Sequence, residues 1–212
     1  MIKIEHTQIF GWESAIRGMR NPMNSWDKSD SKYHGGYYYI GLNDFDLMCR
    51  LVKAGTDHSK FMRMINVTFD ITAPLYWWKE FDTYKVGTVA NSCSTMHKIH
   101  TKEFTLDDFS HEHLIQMVGG EEWSSPMNNL DNVIYCLNKC RDEFISTKDK
   151  KYWWQMIQLL PSSYNQKRTV QLNYAVLRNM YHARKNHKLD EWREFCDWVE
   201  FLPYGELITM EV

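Results

Sequence analysis

The sequence predicts an α+β fold. Three observations carry that reading. Val67, Phe69 and Ile71 alternate with Thr68, Asp70 and Thr72, which is the period of a half-buried strand. Several other stretches repeat their apolar residues at helical spacing. Their order along the chain is helix, a short sheet region, then mostly helices.

The elements follow in turn. Trp12 to Arg20 reads as a short helix stopped by Asn21-Pro22. Gly35-Gly36 makes a turn that leads into a short strand, Tyr37-Tyr38-Tyr39-Ile40. Asn43 is expected to cap a helix running to about Ala54, with Phe45, Met48, Leu51 and Val52 on one face and Gly55 as its stop. After the alternating strand, Ala73-Pro74 starts a helix expected to carry Trp77, Trp78, Phe81 and Tyr84. Three further helices are expected. One carries Leu130, Val133, Ile134, Leu137 and Phe144; one carries Val176, Leu177, Met180 and Tyr181; one carries Leu189, Trp192, Phe195, Cys196 and Val199.

Composition narrows the function classes. The 212 residues suffice for one well-buried domain, expected to span 1–212. With 43% hydrophobic and 25% charged residues the chain is globular and not disordered. A net charge of -2 without a Lys/Arg run argues against nucleic acid as a partner. No apolar run is long enough to cross a bilayer, so no membrane is expected. The opening MIKIEHTQIFGWES does not read as a secretion signal. Five scattered cysteines, an odd number, suit a reducing compartment, and a cytoplasmic location is expected. Nine Trp and twelve Tyr could fill a core, a subunit interface or a stacking site.

Several short clusters have plain structural readings. Cys136 and Cys140 lie one helical turn apart with no His at zinc-site spacing, so they read as helix residues and no metal is expected. His97 with His100, and His111 with His113, read as scattered surface histidines. Gly119-Gly120 is followed by Glu121-Glu122, a pair that repels phosphate and reads as solvated. Trp153-Trp154 near Pro161 reads equally well as core. Asn91-Ser92-Cys93-Ser94-Thr95 is either a turn-rich loop or a cradle of hydroxyls and amides for a ligand.

The segment Leu51 to His97 resembles the central region of the flavin-dependent thymidylate synthases. It has a helix ending at Gly55, His58 at the place of a flavin-contacting His, a Val67-Thr68-Phe69 strand and an Ala73-Pro74 turn. The family's Arg-His-Arg signature falls on Thr83, Tyr84 and Lys85. Allowing one inserted residue, its Asn-Glu-x-Ser-x-Arg stretch falls on Asn91 to Met96. In a second block, Leu160-Pro161 precedes TVQLNYAVLRNMYHAR, read as a helix, and family positions fall on Asn173, Ala175, Asn179 and Arg184. Ala15-Ile16-Arg17-Gly18-Met19-Arg20 is a weaker echo of the family's N-terminal helix, and residues 101–149 carry no motif.

The resemblance implies a small antiparallel sheet packed with several helices, a homotetramer, and FAD held by His58, Tyr84, Lys85, Asn173 and Asn179. It implies a nucleotide or nucleoside substrate at Glu80, Asn91, Ser92 and Ser94. It implies that Arg184 is the catalytic residue that polarises the pyrimidine. Methylenetetrahydrofolate and NADPH are the implied cosubstrates, and Cys93 has no role. The departures are as informative. Glu80 stands where the family has Gln, and Met96 and Ile157 stand where it has cations. Each charge-assisted hydrogen bond is worth roughly 1.5–3 kcal/mol. Weak or absent turnover of deoxyuridylate is therefore expected, with preference for a ligand that lacks the phosphate or presents it elsewhere. Arg178 and Arg193 are the cations that could compensate. The competing expectation is a binding protein that kept the fold and lost catalysis.

Overall fold

The computed structural model describes residues 2–120 and 125–211. Six strands occur among them: β1 (Lys3–Phe10), β2 (Lys32–His34), β3 (Tyr37–Tyr39), β4 (Asn66–Pro74), β5 (Val89–Ser92) and β6 (Asn165–Asn173). The helices are α1 (Trp12–Arg20), α2 (Leu42–Lys53), α3 (Leu75–Phe81), α4 (Thr95–Lys98), α5 (Pro126–Thr147), α6 (Lys150–Leu159), α7 (Tyr174–Arg184), α8 (Asp190–Glu200) and α9 (Glu206–Thr209). Four strands form one sheet in the order β1-β4-β6-β5, and β2 pairs antiparallel with β3. The class is α+β, a small antiparallel sheet with several helices.

β4 has the alternation its sequence demands: Val67, Phe69, Ile71 and Ala73 are buried and the residues between them are half-buried. The β2–β3 ribbon turns through Gly35 and Gly36, both at positive φ (56° and 84°), the backbone that a two-residue hairpin needs. Three expectations shift. The cap of α2 is Gly41, not Asn43; the carboxylate of Asp30 accepts from the Asn43 and Asp44 N–H groups (2.9 and 3.1 Å) and does the capping from outside the helix. α3 ends at Phe81, so Tyr84 stands in the loop after it; Asp82 and Thr83 favour turns over helix. The stretch from Thr169 to Asn173, read as helix, is the end of β6, and the helix starts at Tyr174.

The chain folds into two compact units. The first comprises Met1–Lys3, Thr72–Phe81 and Asn91–Arg168. Its core brings Ile99, Phe104 and Phe109 against Leu130 and Leu137 of α5 and Met156 of α6. Trp77, Trp78 and Phe81 form an aromatic knot on α3, anchored where Trp78 Nε1 donates to the Gln166 carbonyl at 3.0 Å. The second comprises Ile4–Ile71, Asp82–Ala90 and Thr169–Val212. Here Phe69 meets the rings of Phe195 and Trp198 on α8, and α7 packs on α8 and α9. The Tyr174 hydroxyl donates to the Pro203 carbonyl at 2.5 Å. Burial raises that phenol above its ordinary range, so it stays a donor.

Candidate functional site

In the second unit the site is built on α7. Asn173 caps this helix, its Oδ1 accepting from the Val176 N–H at 3.1 Å. Gly87, at φ 77°, packs on the cap: a Cβ there would stand 3.2 Å from Asn173 Nδ2 and 3.2 Å from a Val176 methyl. This contact seats the 82–88 loop against the start of α7. Farther along the loop, the Tyr84 hydroxyl accepts from Arg184 Nε at 2.9 Å, at the far end of the same helix. The Arg184 guanidinium lies 5.6 Å from the Tyr84 ring centre and 4.9 Å from that of Trp192 on α8. Trp192 is fully buried. The cation is thus held by two aromatic faces and a hydroxyl, an arrangement that fixes its position before any ligand arrives.

The structure therefore brings Tyr84, Asn173 and Arg184 onto one helix and the loop beside it. Lys85 and Asn179 are exposed. His58 is exposed in the turn after Gly55 and borders a cavity of about 520 Å³, whose lining also includes Met19, Leu51, Phe61 and Met64. Arg178 and Arg193, the expected compensating cations, both have structural work. Arg178 donates to the carbonyls of Leu207 and Ile208 (3.3 and 2.9 Å), and Arg193 to the His187 carbonyl (2.9 Å) and to Asp190.

In the first unit, Asn91 and Ser92 are exposed on β5 and Glu80 is half-buried on α3. Ser94 caps α4, its Oγ accepting from the His97 N–H at 3.0 Å. It lines a cavity of about 360 Å³ together with Cys93, Lys98, Lys167 and Tyr164. The wall is knitted by two bonds across the chain: Cys93 N–H donates to the Lys167 carbonyl and Gln166 Nε2 to the Cys93 carbonyl, both at 2.9 Å. Arg168 stacks 4.0 Å over the Trp78 ring and donates to Gln166 Oε1 at 3.0 Å. Burial, then the charge of Asp108, raises the Tyr164 phenol, so it remains protonated.

The two positions of lost charge differ. Met96 is exposed, and its carbonyl accepts from Trp153 Nε1 at 3.0 Å. Ile157 packs against the core of its unit. Trp192 stands in the sequence only as a core residue by its spacing, yet it walls the Arg184 guanidinium. Glu121 and Glu122 lie outside the described residues. Cys136 is exposed and Cys140 half-buried on α5. Among the described residues no group of three or more His, Cys, Asp and Glu could hold a metal ion. No helix among them is long and apolar enough to cross a membrane.

No family model and no curated protein matches the chain in sequence. Solved structures do match in shape. Thymidylate synthase X from Helicobacter pylori, solved with FAD and dUMP, superposes with a TM-score of 0.70 at 15% identity, covering 100% of this chain and 98% of that one. A second structure of that enzyme with the same two ligands gives 0.69 at 15% identity, over 99% and 98%. A UMP/dUMP methylase, PolB from Streptomyces cacaoi, bound with 5-Br dUMP, gives 0.61 at 14% identity, over 99% and 95%. The α+β architecture thus has a defined type. It is the fold of the flavin-dependent thymidylate synthases, which the residue pattern from Leu51 to Arg184 resembles.

Proposed function

We propose that this chain binds FAD and a uracil-type nucleotide or nucleoside, and methylates the base reductively with methylenetetrahydrofolate as carbon donor and NADPH as reductant. The reading takes residues 1–212 as one functional domain of a cytoplasmic homotetramer. Its main support is the whole-chain likeness to a thymidylate synthase X solved with FAD and dUMP. The donor set fits a flavin. His58, Lys85 and Asn179 are exposed, and among the described residues none of their side chains makes a hydrogen bond or ion pair. FAD, when bound, supplies the hydride. Arg184, caged by Tyr84 and Trp192, stabilises negative charge developing on the pyrimidine, and Asn91, Ser92, Ser94 and Glu80 are assigned to the nucleotide.

The test is the absorption spectrum of the purified protein, followed by FAD titration monitored by fluorescence. A flavin band and saturable quenching are expected, with Lys85→Ala weakening binding more than Lys85→Arg. An unchanged fluorescence up to high FAD concentration overturns the reading. Light scattering checks the tetramer, and a monomer at micromolar concentration refutes that part. A second reading, a ligand-binding protein without turnover, is favoured by one observation: Ile157 is packed into a core where the resemblance expects a cation. Flavin binding without any base methylation would select it.

A further inference from the structure

We infer that Gln166 is a positioning residue for the stretch Asn91 to Ser94, fixing through the Cys93 carbonyl where the Ser92 and Ser94 side chains stand. The inference rests on the nucleotide-binding part of the proposed function, and it concerns a residue that the resemblance does not assign.

The stretch needs support from outside itself. β5 stands at the end of its sheet, with β6 beside it. All four residues of β5 are exposed. With no buried face, packing does little to hold the strand in place. The chain is instead gripped at the next residue, on both sides of its backbone. The Cys93 N–H donates to the Lys167 carbonyl, and the Cys93 carbonyl accepts from Gln166 Nε2, both at 2.9 Å. The first bond runs from backbone to backbone and asks for no particular side chain. The second needs the Gln166 amide.

Gln166 is only 8% exposed. A buried amide is costly unless its donor and its acceptor both find partners, and here both do. Its Oε1 accepts from Arg168 Nε at 3.0 Å, and its backbone carbonyl accepts from Trp78 Nε1 at 3.0 Å. Arg168 in turn stacks 4.0 Å from the ring centre of Trp78, which is buried in the aromatic knot of α3. These partners decide which way the amide points. A guanidinium only donates, so the oxygen faces Arg168; a carbonyl only accepts, so the nitrogen faces Cys93. Gln166 thus carries the rigidity of the α3 knot across to Cys93. The next residue, Ser94, caps α4 with its Oγ accepting from the His97 N–H at 3.0 Å, so a fixed Cys93 also fixes the Ser94 hydroxyl. Cys93, Ser94 and Gln166 wall the same cavity. A fully bonded buried amide of this kind specifies one arrangement where an apolar residue of the same size permits several.

The experiment joins hydrogen–deuterium exchange of the ligand-free full chain to calorimetric titration with dUMP, deoxyuridine and FAD, on wild type, Gln166→Leu and Gln166→Glu. The Glu variant keeps an acceptor for Arg168 and loses the donor to Cys93; the Leu variant loses both. A Leu variant that fails to fold therefore leaves the Glu variant to carry the test. In each, the amides of residues 93–98 should exchange roughly threefold or more faster, while those of α5 stay as in wild type. Whichever of dUMP and deoxyuridine wild type binds more tightly should weaken roughly three- to tenfold, the loss of about one hydrogen bond, with FAD affinity within about twofold of wild type. Unchanged exchange, or faster exchange with nucleotide affinity intact, overturns the inference. A loss shared equally by nucleotide and FAD and following the melting temperature reduces Gln166 to a structural residue and overturns it as well. Wild type that binds neither dUMP nor deoxyuridine removes the nucleotide reading and the inference with it. Nucleotide binding that ignores both variants sinks the positioning role alone and leaves that reading standing.

Discussion

Replacing Asp44 with alanine removes a buried side chain that accepts five hydrogen bonds. Its carboxylate is fully buried and accepts from Arg20 Nε (2.6 Å), Ser29 Oγ (2.7 Å), Ser31 Oγ (2.6 Å) and the N–H groups of Asp30 and Ser31 (3.2 and 3.1 Å). Arg20 is itself only 4% exposed. Without Asp44 it keeps, among the described residues, the Ser25 carbonyl at 3.2 Å and a long contact to the Ser25 hydroxyl at 3.5 Å. Breaking a buried ion pair by deleting one partner costs about 3–5 kcal/mol, because a charge is left without compensation. For a chain of this size each kcal/mol lowers Tm by about 2–4 °C, so Asp44→Ala should melt roughly 6–20 °C lower. Urea unfolding followed by tryptophan fluorescence measures the free energy directly. Arg20→Met with Asp44→Leu should recover much of the loss, since neither charge then remains buried. Burial alone would raise the Asp44 pKa, but Ser31, Ser29 and Arg20 outweigh it and hold it below its ordinary 3.8. The folded pKa is the depressed one. Its stabilisation is therefore complete above the unfolded value and is lost as pH falls through the folded one. Asp44→Ala should flatten that acid limb. A loss under about 1 kcal/mol, or an unchanged acid limb, would refute the reasoning.

The other expectations are briefer. Asn173→Ala should cost about 1 kcal/mol in chemical denaturation and Asn173→Asp much less, because the side chain caps α7. Leu137→Ala in the first unit should cost about 2–5 kcal/mol, as the side chain is fully buried between α5 and its neighbours. Tyr84→Phe removes the 2.9 Å bond to Arg184 and should lower base methylation while leaving FAD affinity unchanged if the hydroxyl only positions the cation; Arg184→Ala should abolish methylation. His182 is pushed below its ordinary value, first by burial and then by Arg178, so the unfolded chain binds the proton more readily. Stability should rise with pH through the interval just below 6.5, and His182→Gln should remove that slope in pH-dependent melting.

The legible parts of the fold are those with an uninterrupted local period. β4 alternates residue by residue, and α1 and α8 keep an apolar stripe close to their observed bounds, while the apolar residues read as helical in α5 and α7 fall inside those helices. β6 was hidden because it buries polar Gln166 where a strand pattern calls for an apolar residue, and Gln166 is there to bond the Cys93 carbonyl. β1 was hidden because its residues are mostly exposed, leaving no face to read. Of the site, Asn173, Asn179 and Arg184 were legible only through the resemblance. Trp192 was legible only as core, although it is also a wall of the Arg184 cage. The cavity wall beside Ser94 could not be read from sequence: the backbone bond between Cys93 and Lys167 joins segments more than seventy residues apart.

These roles change what a retained residue means. Asn173 is needed as a helix cap, so its presence follows from the fold and would persist in a protein that had lost catalysis. The same holds in part for Arg184, which ties the Tyr84 loop to α8 through Trp192. Neither residue separates an enzyme from an inactive relative. His58, Lys85 and Asn179 do separate them, because their side chains are exposed and make no bond to another described residue. A surface side chain without partners contributes little to stability, so replacing it should shift folding by no more than about 0.5 kcal/mol. Beyond the shared fold, these three residues carry the distinction between a flavin protein and an inactive relative. If His58→Ala, Lys85→Ala and Asn179→Ala all leave FAD affinity and melting temperature unchanged, their match to the family positions is coincidence and the fold alone remains. If each weakens FAD with no change in melting temperature, they are held for the ligand, because their side chains make no bond to another described residue.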